Sequence, residues 1–314
     1  MQPAEPTLAA LPNPVVRYFL ATRPPFLVVT LLGCLIGLAT AFSSHVPLAL
    51  GPALATVLFA LVAHAGINVL NDYYDARNGT DAVNTGRVFP YTGGSRFIQN
   101  GVLSETAMLY FGIALFAVVT LAGLWLMSIS GPDLLWLGFA GLFIGWAYSA
   151  PPLKLNSRGV GEVCVAAGWM IIVTGADYVQ RSAFATLPVI AAISYALHVT
   201  NVLYINQFPD RIANEATGKH HCVVRLGPQR ARYGYIVIAA VAYGWLIGAV
   251  IAGALPLVTL LSFLSAVPTF KAARDLLRFA EQPKELAPAI RATIGAATQH
   301  GLLLSVALVA SRWL

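Results

Sequence analysis

Nine apolar runs, each close to the length needed to cross a bilayer, leave few folds open to this chain. A helix requires about 20 apolar residues to traverse about 30 Å of hydrocarbon. The qualifying stretches are about 24–43, 46–71, 106–128, 132–150, 160–178, 184–206, 231–252, 254–270 and 287–311. The seventh and eighth are parted only by the turn around Gly253 to Pro256. Composition agrees: 58% of the 314 residues are hydrophobic and 10% are charged. Soluble chains carry about 25% charged residues, and a larger core cannot cover such a deficit because surface must still face water. Lipid is therefore the solvent for most of this surface. The expected architecture is all-α: a polytopic membrane protein in one domain, 1–314, with an N-terminal segment of about 20 residues before the first span.

The net charge of +6 has a topological reading. A basic nucleic-acid binder would cluster its cations on a polar domain, whereas here they lie between apolar runs. With the N-terminus inside, the inner segments hold 17 of the 19 Lys and Arg residues, and the outer segments hold only Arg181 and Arg312. That asymmetry orients the chain, with the C-terminus outside, and depends on an odd number of spans. The two long polar connections, about 72–105 and 207–230, also fall inside, and elaborated loops on one face mark where function sits. Cys34, Cys164 and Cys222 show no paired or metal-like spacing and read as free thiols. The opening MQPAEPTLAALPNPVV lacks the basic flank and cleavage site of a signal peptide, so insertion is expected to use the first span.

The second span runs into AGINVLNDYYDARNGTD, where Asn68, Asp72 and Asp75 share one helical face, with Asn71 flanking them and Asp81 beyond Gly79. The sixth runs into VLYINQFPDRIANEATGK, where Asn206, Asp210 and Asn214 repeat the four-residue step beside Glu215. Carboxylates and amides near the hydrocarbon boundary are costly unless they pair, hydrate or bind a cation. Oxygen donors without Cys or His suit magnesium, which takes one or two protein carboxylates and completes its octahedron with waters and phosphates. Two such stripes facing each other would hold a diphosphate through bridging metal ions. For either stripe alone, an ordinary helix end at the interface is the simpler reading; two matched stripes on one face argue against it.

NDYYD followed by NGTD, then DRIANEATGKHHCVVRLG, resembles the UbiA superfamily of intramembrane aromatic prenyltransferases. The likeness runs from ATRPPF at the first span to the ninth and includes TGGSRFIQNGVLS and YSAPPLKLNSRGVGE. TGGS, APPLKL, YVQ and VVRLG look most like the branch acting on 1,4-dihydroxy-2-naphthoate in menaquinone synthesis. The resemblance implies a nine-helix bundle around a central cavity with a cytoplasmic cap, in the cytoplasmic membrane. It implies magnesium held by Asn68, Asp72, Asp75, Asp210 and Asn214, gripping the diphosphate of a polyprenyl donor. The family's second motif usually ends in Asp where this chain has Asn214, which removes a charge from the second site.

Asp72, Asp75, Asp210 and Lys154 are then the candidate catalytic residues. Arg23 matches a family position near the aromatic acceptor, Arg87 and Arg96 are candidate diphosphate contacts, and Tyr148, Asn206 and Lys219 complete the expected substrate site. For each cation the simpler role is setting topology, and for each tyrosine an interface belt. His64 and His198 read as buried interhelical histidines, Asp177 as structural, Glu162 as an inner residue near the site, and His220 with His221 as solvated. Expected partners are the polyprenyl diphosphate, the acceptor and the bilayer, with no nucleic acid and no obligatory protein. An acceptor such as 4-hydroxybenzoate, homogentisate or a chlorophyllide would use a similar site. The competing class is an ion-coupled carrier, which would show inverted repeats and a midplane site.

Overall fold

The computed structural model describes residues 4–314. Among them the ordered elements are helices, in the order α1 Pro14–Ala21, α2 Pro24–Ser43, α3 Leu50–Arg77, α4 Thr80–Val83, α5 Glu105–Ser130 and α6 Leu134–Ser149. The chain continues with α7 Gly161–Arg181, α8 Thr186–Ala216, α9 Cys222–Leu226, α10 Pro228–Ile251, α11 Ala266–Phe279 and α12 Ala287–Ala310. Eight are long and apolar enough to cross a membrane, counting the 3-10 stretch Leu257–Ser265 together with α11; α6 is apolar but has 16 residues. These nine match the nine apolar runs. The short α1, capped by the Asn13 side chain accepting from Val15 N at 2.9 Å, lies in the N-terminal segment of about 20 residues expected before the first span.

Three spans run well past their expected ends; the eighth continues to Phe279, and the other two bear on the site. The second span continues past 71 to Arg77, and the sixth past 206 to Ala216, through Pro209. Hydropathy falls where polar residues begin, but the hydrogen-bonded backbone continues, so both motifs lie on helices. At 1.5 Å per residue the 31 residues of α8 reach about 46 Å, well beyond the hydrocarbon core.

Around the bundle α3 packs on α5, α7 on α8, and α2 on both α7 and α12, while α10 and α12 close against α8. Small residues permit these approaches, as is usual where lipid supplies no hydrophobic drive between helices. A Cβ on Gly37 would overlap the Val173 carbonyl oxygen and lie 2.8 Å from Ala176 Cβ. The main apolar core joins α2, α7, α8 and α12 through Leu32, Ile36, Val173, Tyr195 and Leu304. Several polar groups away from the basic loops are paired: Asp177 accepts from Arg181 at 2.7 and 2.8 Å and from Thr40 at 2.9 Å. His300 sits between Ser194 and Ser265, at 3.1 and 3.2 Å. The three cysteines are free.

The loops expected inside meet at one end of the bundle. Thr80 bonds Thr217, Arg225 donates to the Arg158 carbonyl, and His220 N–H donates to the Ser157 carbonyl. Arg181 and Arg312 lie at the other end, against Ser44 and the Phe42 carbonyl.

Candidate active site

The last turns of α3 and α8 approach the same loop. Thr92–Ser95 threads between them, with Gly93 and Gly94 at φ 78° and 72°, a backbone region open chiefly to glycine. The Gly93 N–H donates to Asp210 Oδ2 at 3.3 Å, and the Ser95 N–H donates to Asp72 Oδ2 at 3.1 Å. The two donors are two residues apart, so at most about 7 Å of chain separates them. Gly94 must lack a side chain for a second reason: its Cβ would lie 2.6 Å from Asp81 Oδ2 and 3.1 Å from Asp72 Oδ1.

Four carboxylates, Asp72, Asp75, Asp81 and Asp210, thus gather at one mouth. Lys219 meets Asp75 at 2.5 Å, and Arg23 lies 3.9 Å from Asp72. Asn84 donates to Asp210 Oδ1 at 2.6 Å. Burial, reinforced by the Asp75 and Asp72 charges, pushes the Asp81 carboxyl up to about 9. Asp72 Oδ1, Asn84 Oδ1 and Asn206 Oδ1 are buried without hydrogen-bond partners. Such an excess of acidic and carbonyl oxygen over cations is a donor set for a hard divalent ion. Among the described residues no three His, Cys, Asp or Glu side chains form a ready-made cage. Magnesium does not need one, since it relies on waters and substrate phosphates for most of its shell.

The mouth is a cavity of about 210 Å³, lined by Arg23, Asn68, Asp75, Asp81, Asp210 and Lys219 among others. It adjoins a second cavity of about 380 Å³ between α3, α5, α6 and α7, whose walls are largely apolar. His64, Ile67, Asn68, Tyr148, Val165 and Trp169 line both and form the neck between them. Gly123, Gly138 and Gly168 face the apolar chamber with open space where a Cβ would stand. His64 is fixed there by a 2.8 Å hydrogen bond to Thr30 and by edge contact with Trp169.

Of the expected site residues, Arg23, Asn68, Asp75, Tyr148, Asn206, Asp210, Asn214 and Lys219 line the mouth, and Asp72 is buried behind the loop that it anchors. Three cations are elsewhere. Arg87 binds Glu5 at 2.7 and 2.8 Å, so its charge is already matched. Arg96 lies 3.7 Å from Glu5 and donates to the main-chain carbonyl of Asp81, which makes it a brace behind the mouth. Lys154 is outside the lining, in the left-handed region at φ 42° as the residue entering a 3-10 turn. The segment from Glu5 is held further by Asn100, which donates to Glu5 Oε2 and the Pro6 carbonyl at 3.2 and 3.0 Å.

His221 also departs from expectation. It is 3% exposed rather than solvated, and Asn214 Nδ2 donates to its Nε2 at 3.0 Å. Burial, with Lys219 and His220 nearby, pulls its imidazole down to about 3. Glu162 accepts from Gln207 at 2.8 Å, at the inner end as expected. Asp81, Asn84 and Gln207 join the lining without having been expected there; only the NGTD string pointed to Asp81.

The profile of the UbiA prenyltransferase family matches residues 27–292. The chain is similar to 1,4-dihydroxy-2-naphthoate octaprenyltransferase of Bacillus subtilis (strain 168), 25% identical over 294 residues that cover 92% of this chain and 91% of that protein. The protein of the same description from Escherichia coli (strain K12) is 27% identical over 270 residues, covering 78% and 80%. The backbone follows that of a UbiA homolog from Archaeoglobus fulgidus bound to DMAPP and Mg2+, with a TM-score of 0.57, 16% identity, and 92% and 99% of the two chains covered. At that identity the likeness concerns the fold.

Proposed function

Because the chain belongs to the UbiA prenyltransferase family, we propose that it transfers a polyprenyl group from an allylic diphosphate to 1,4-dihydroxy-2-naphthoate, with magnesium. It is a multi-span membrane enzyme that transfers prenyl groups, which sets aside the carrier alternative. The naphthoate acceptor is supported by the two relatives' descriptions, and magnesium by the oxygen donor set and the ions bound in the archaeal homologue.

One observation carries the reading: an acidic mouth, closed by a loop that both motifs grip, opens through a narrow neck into an apolar chamber. That shape fits a molecule with a doubly phosphorylated head and a hydrocarbon tail. Asn68, Asp72 and Asp75 from α3, Asp210 and Asn214 from α8, and Asp81 would hold the metal. When bound, it would neutralise the charge that gathers on the departing diphosphate. Lys219, paired with Asp75, stands ready to share that load. In the reaction the allylic C–O bond breaks with both electrons leaving on the diphosphate. A ring carbon of the acceptor forms the new C–C bond, and that carbon then gives up its proton to the freed diphosphate, which restores the aromatic ring. Trp169 and Tyr148 wall the neck, where aromatic faces stabilise positive charge and apolar packing excludes water. Arg23, at the α2 entry and lining the mouth, would hold an acceptor carboxylate. The mouth faces the cytoplasm, in keeping with the basic loops that surround it.

The test incubates purified protein with magnesium, one polyprenyl diphosphate and a panel of aromatic acceptors. Prenylated naphthoate is the expected product, dependent on the metal; a product with another acceptor alone would reassign the acceptor. The chamber makes a separate prediction. Gly168 faces it, and no atom lies within 4 Å of where its Cβ would stand. Gly168→Phe is therefore expected to lower turnover of long-chain donors at least about tenfold while sparing a five-carbon donor. Equal loss for both lengths would mean that the tail does not run there.

A further inference from the structure

Asn214 follows Asp210 by four residues, an amide where α3 presents acids. An amide has an oxygen that accepts and an NH2 that donates, and only the oxygen ligates a cation. An asparagine in such a place needs a neighbour that holds its NH2 aside. His221 is that neighbour: its Nε2 accepts from Asn214 Nδ2 at 3.0 Å. The chain reverses after α8 through Gly218, at φ 76°. The His220 N–H, donating to the Ser157 carbonyl at 2.8 Å, pins the returning chain. His221, at the N-cap of α9, is thereby laid back over Asn214. Because Nε2 accepts, the neutral ring carries its proton on Nδ1. That Nδ1 is buried with no hydrogen-bond partner, on a side chain 3% exposed that lines the mouth.

We propose that His221 is a positioning and anion-binding residue: Nε2 turns the Asn214 oxygen toward the metal, and Nδ1–H donates to a diphosphate oxygen. This rests on the diphosphate-binding reading above. The pair exchanges one negative charge of the second motif for one hydrogen bond to the leaving group. It also ties the cap of α9 to the last turns of α8.

Two substitutions divide the roles. His221→Gln keeps a carbonyl acceptor near Nε2 and loses the Nδ1 donor; His221→Asn keeps a donor near Nδ1 and loses the contact with Asn214. Full-length protein in nanodiscs is titrated with Mn2+, followed by its electron paramagnetic resonance signal, and with inorganic pyrophosphate in Mg2+ by calorimetry. Thermal melting checks that each variant is folded. His221→Gln is expected to weaken pyrophosphate binding about 10- to 100-fold, the loss of one hydrogen bond to a charged group, with little change in Mn2+ affinity. His221→Asn is expected to weaken Mn2+ binding about tenfold, and to have no such effect once Asn214→Asp is present, since a carboxylate offers oxygen either way. Folded His221 variants that bind both probes as wild type, or an equal Mn2+ loss in both backgrounds, would overturn the assignment. Wild-type protein that binds neither probe would overturn the diphosphate reading itself.

Discussion

Asp72→Ala and Asp210→Ala are each expected to cut prenyl transfer by at least about a thousandfold, while the protein still inserts and melts cooperatively. The size follows from what each carboxylate does twice. As a proposed metal ligand it would help to neutralise the departing diphosphate, where loss of even one oriented hydrogen-bond donor in other enzymes costs about 10²- to 10³-fold. As an acceptor it anchors the Thr92–Ser95 loop, Asp72 through Ser95 N–H and Asp210 through Gly93 N–H. Radiolabelled transfer in membranes reads the rate. Asp72→Asn and Asp210→Asn separate the duties, since each keeps an acceptor for the loop and removes the charge. Full activity in both alanine variants would refute the metal assignment.

The second large effect is on stability. Gly37→Ala is expected to destabilise the bundle by about 3 kcal/mol, at the upper end for overpacking a tight core. The added methyl would overlap the Val173 carbonyl oxygen, a backbone atom that moves only if α7 moves. Separating α2 from α7 would also disturb Arg23 at the foot of α2 and Trp169 on α7, so activity should fall with the melting temperature. Gly51→Ala is the control: nothing lies within 4 Å of that position, and alanine favours helix over glycine. Thermal unfolding in detergent distinguishes the two, and equal midpoints would show that the α2–α7 contact is slack.

The spans and their alternation were legible because lipid imposes a length on each helix and the basic residues mark one side. Helix ends were less so. Hydropathy registers where side chains become polar, yet α3 and α8 continue for six and ten residues further, which puts Asp72, Asp75, Asp210 and Asn214 on regular turns. The stripes themselves were readable from a four-residue step. Asp81 was harder, because Gly79, at φ 82°, breaks the helix before it and no period relates it to Asp75. Arg87 and Arg96 flank TGGS in sequence, but their fate is decided by Glu5, 82 residues before Arg87. His221 gave no spacing signal at all; only the reversal at Gly218 returns it to Asn214.

That attachment of Glu5 has a practical side for anyone making the protein. A purification tag fused ahead of it would add bulk and charge within a few residues of a carboxylate that holds Arg87 and Asn100. A tag behind Trp313 would emerge at the far end of the bundle, beside Arg312 and Phe42. Preparations compared for turnover should therefore carry their handles at the C-terminus, or a slow enzyme will be blamed on the chemistry when the fault is in the cloning.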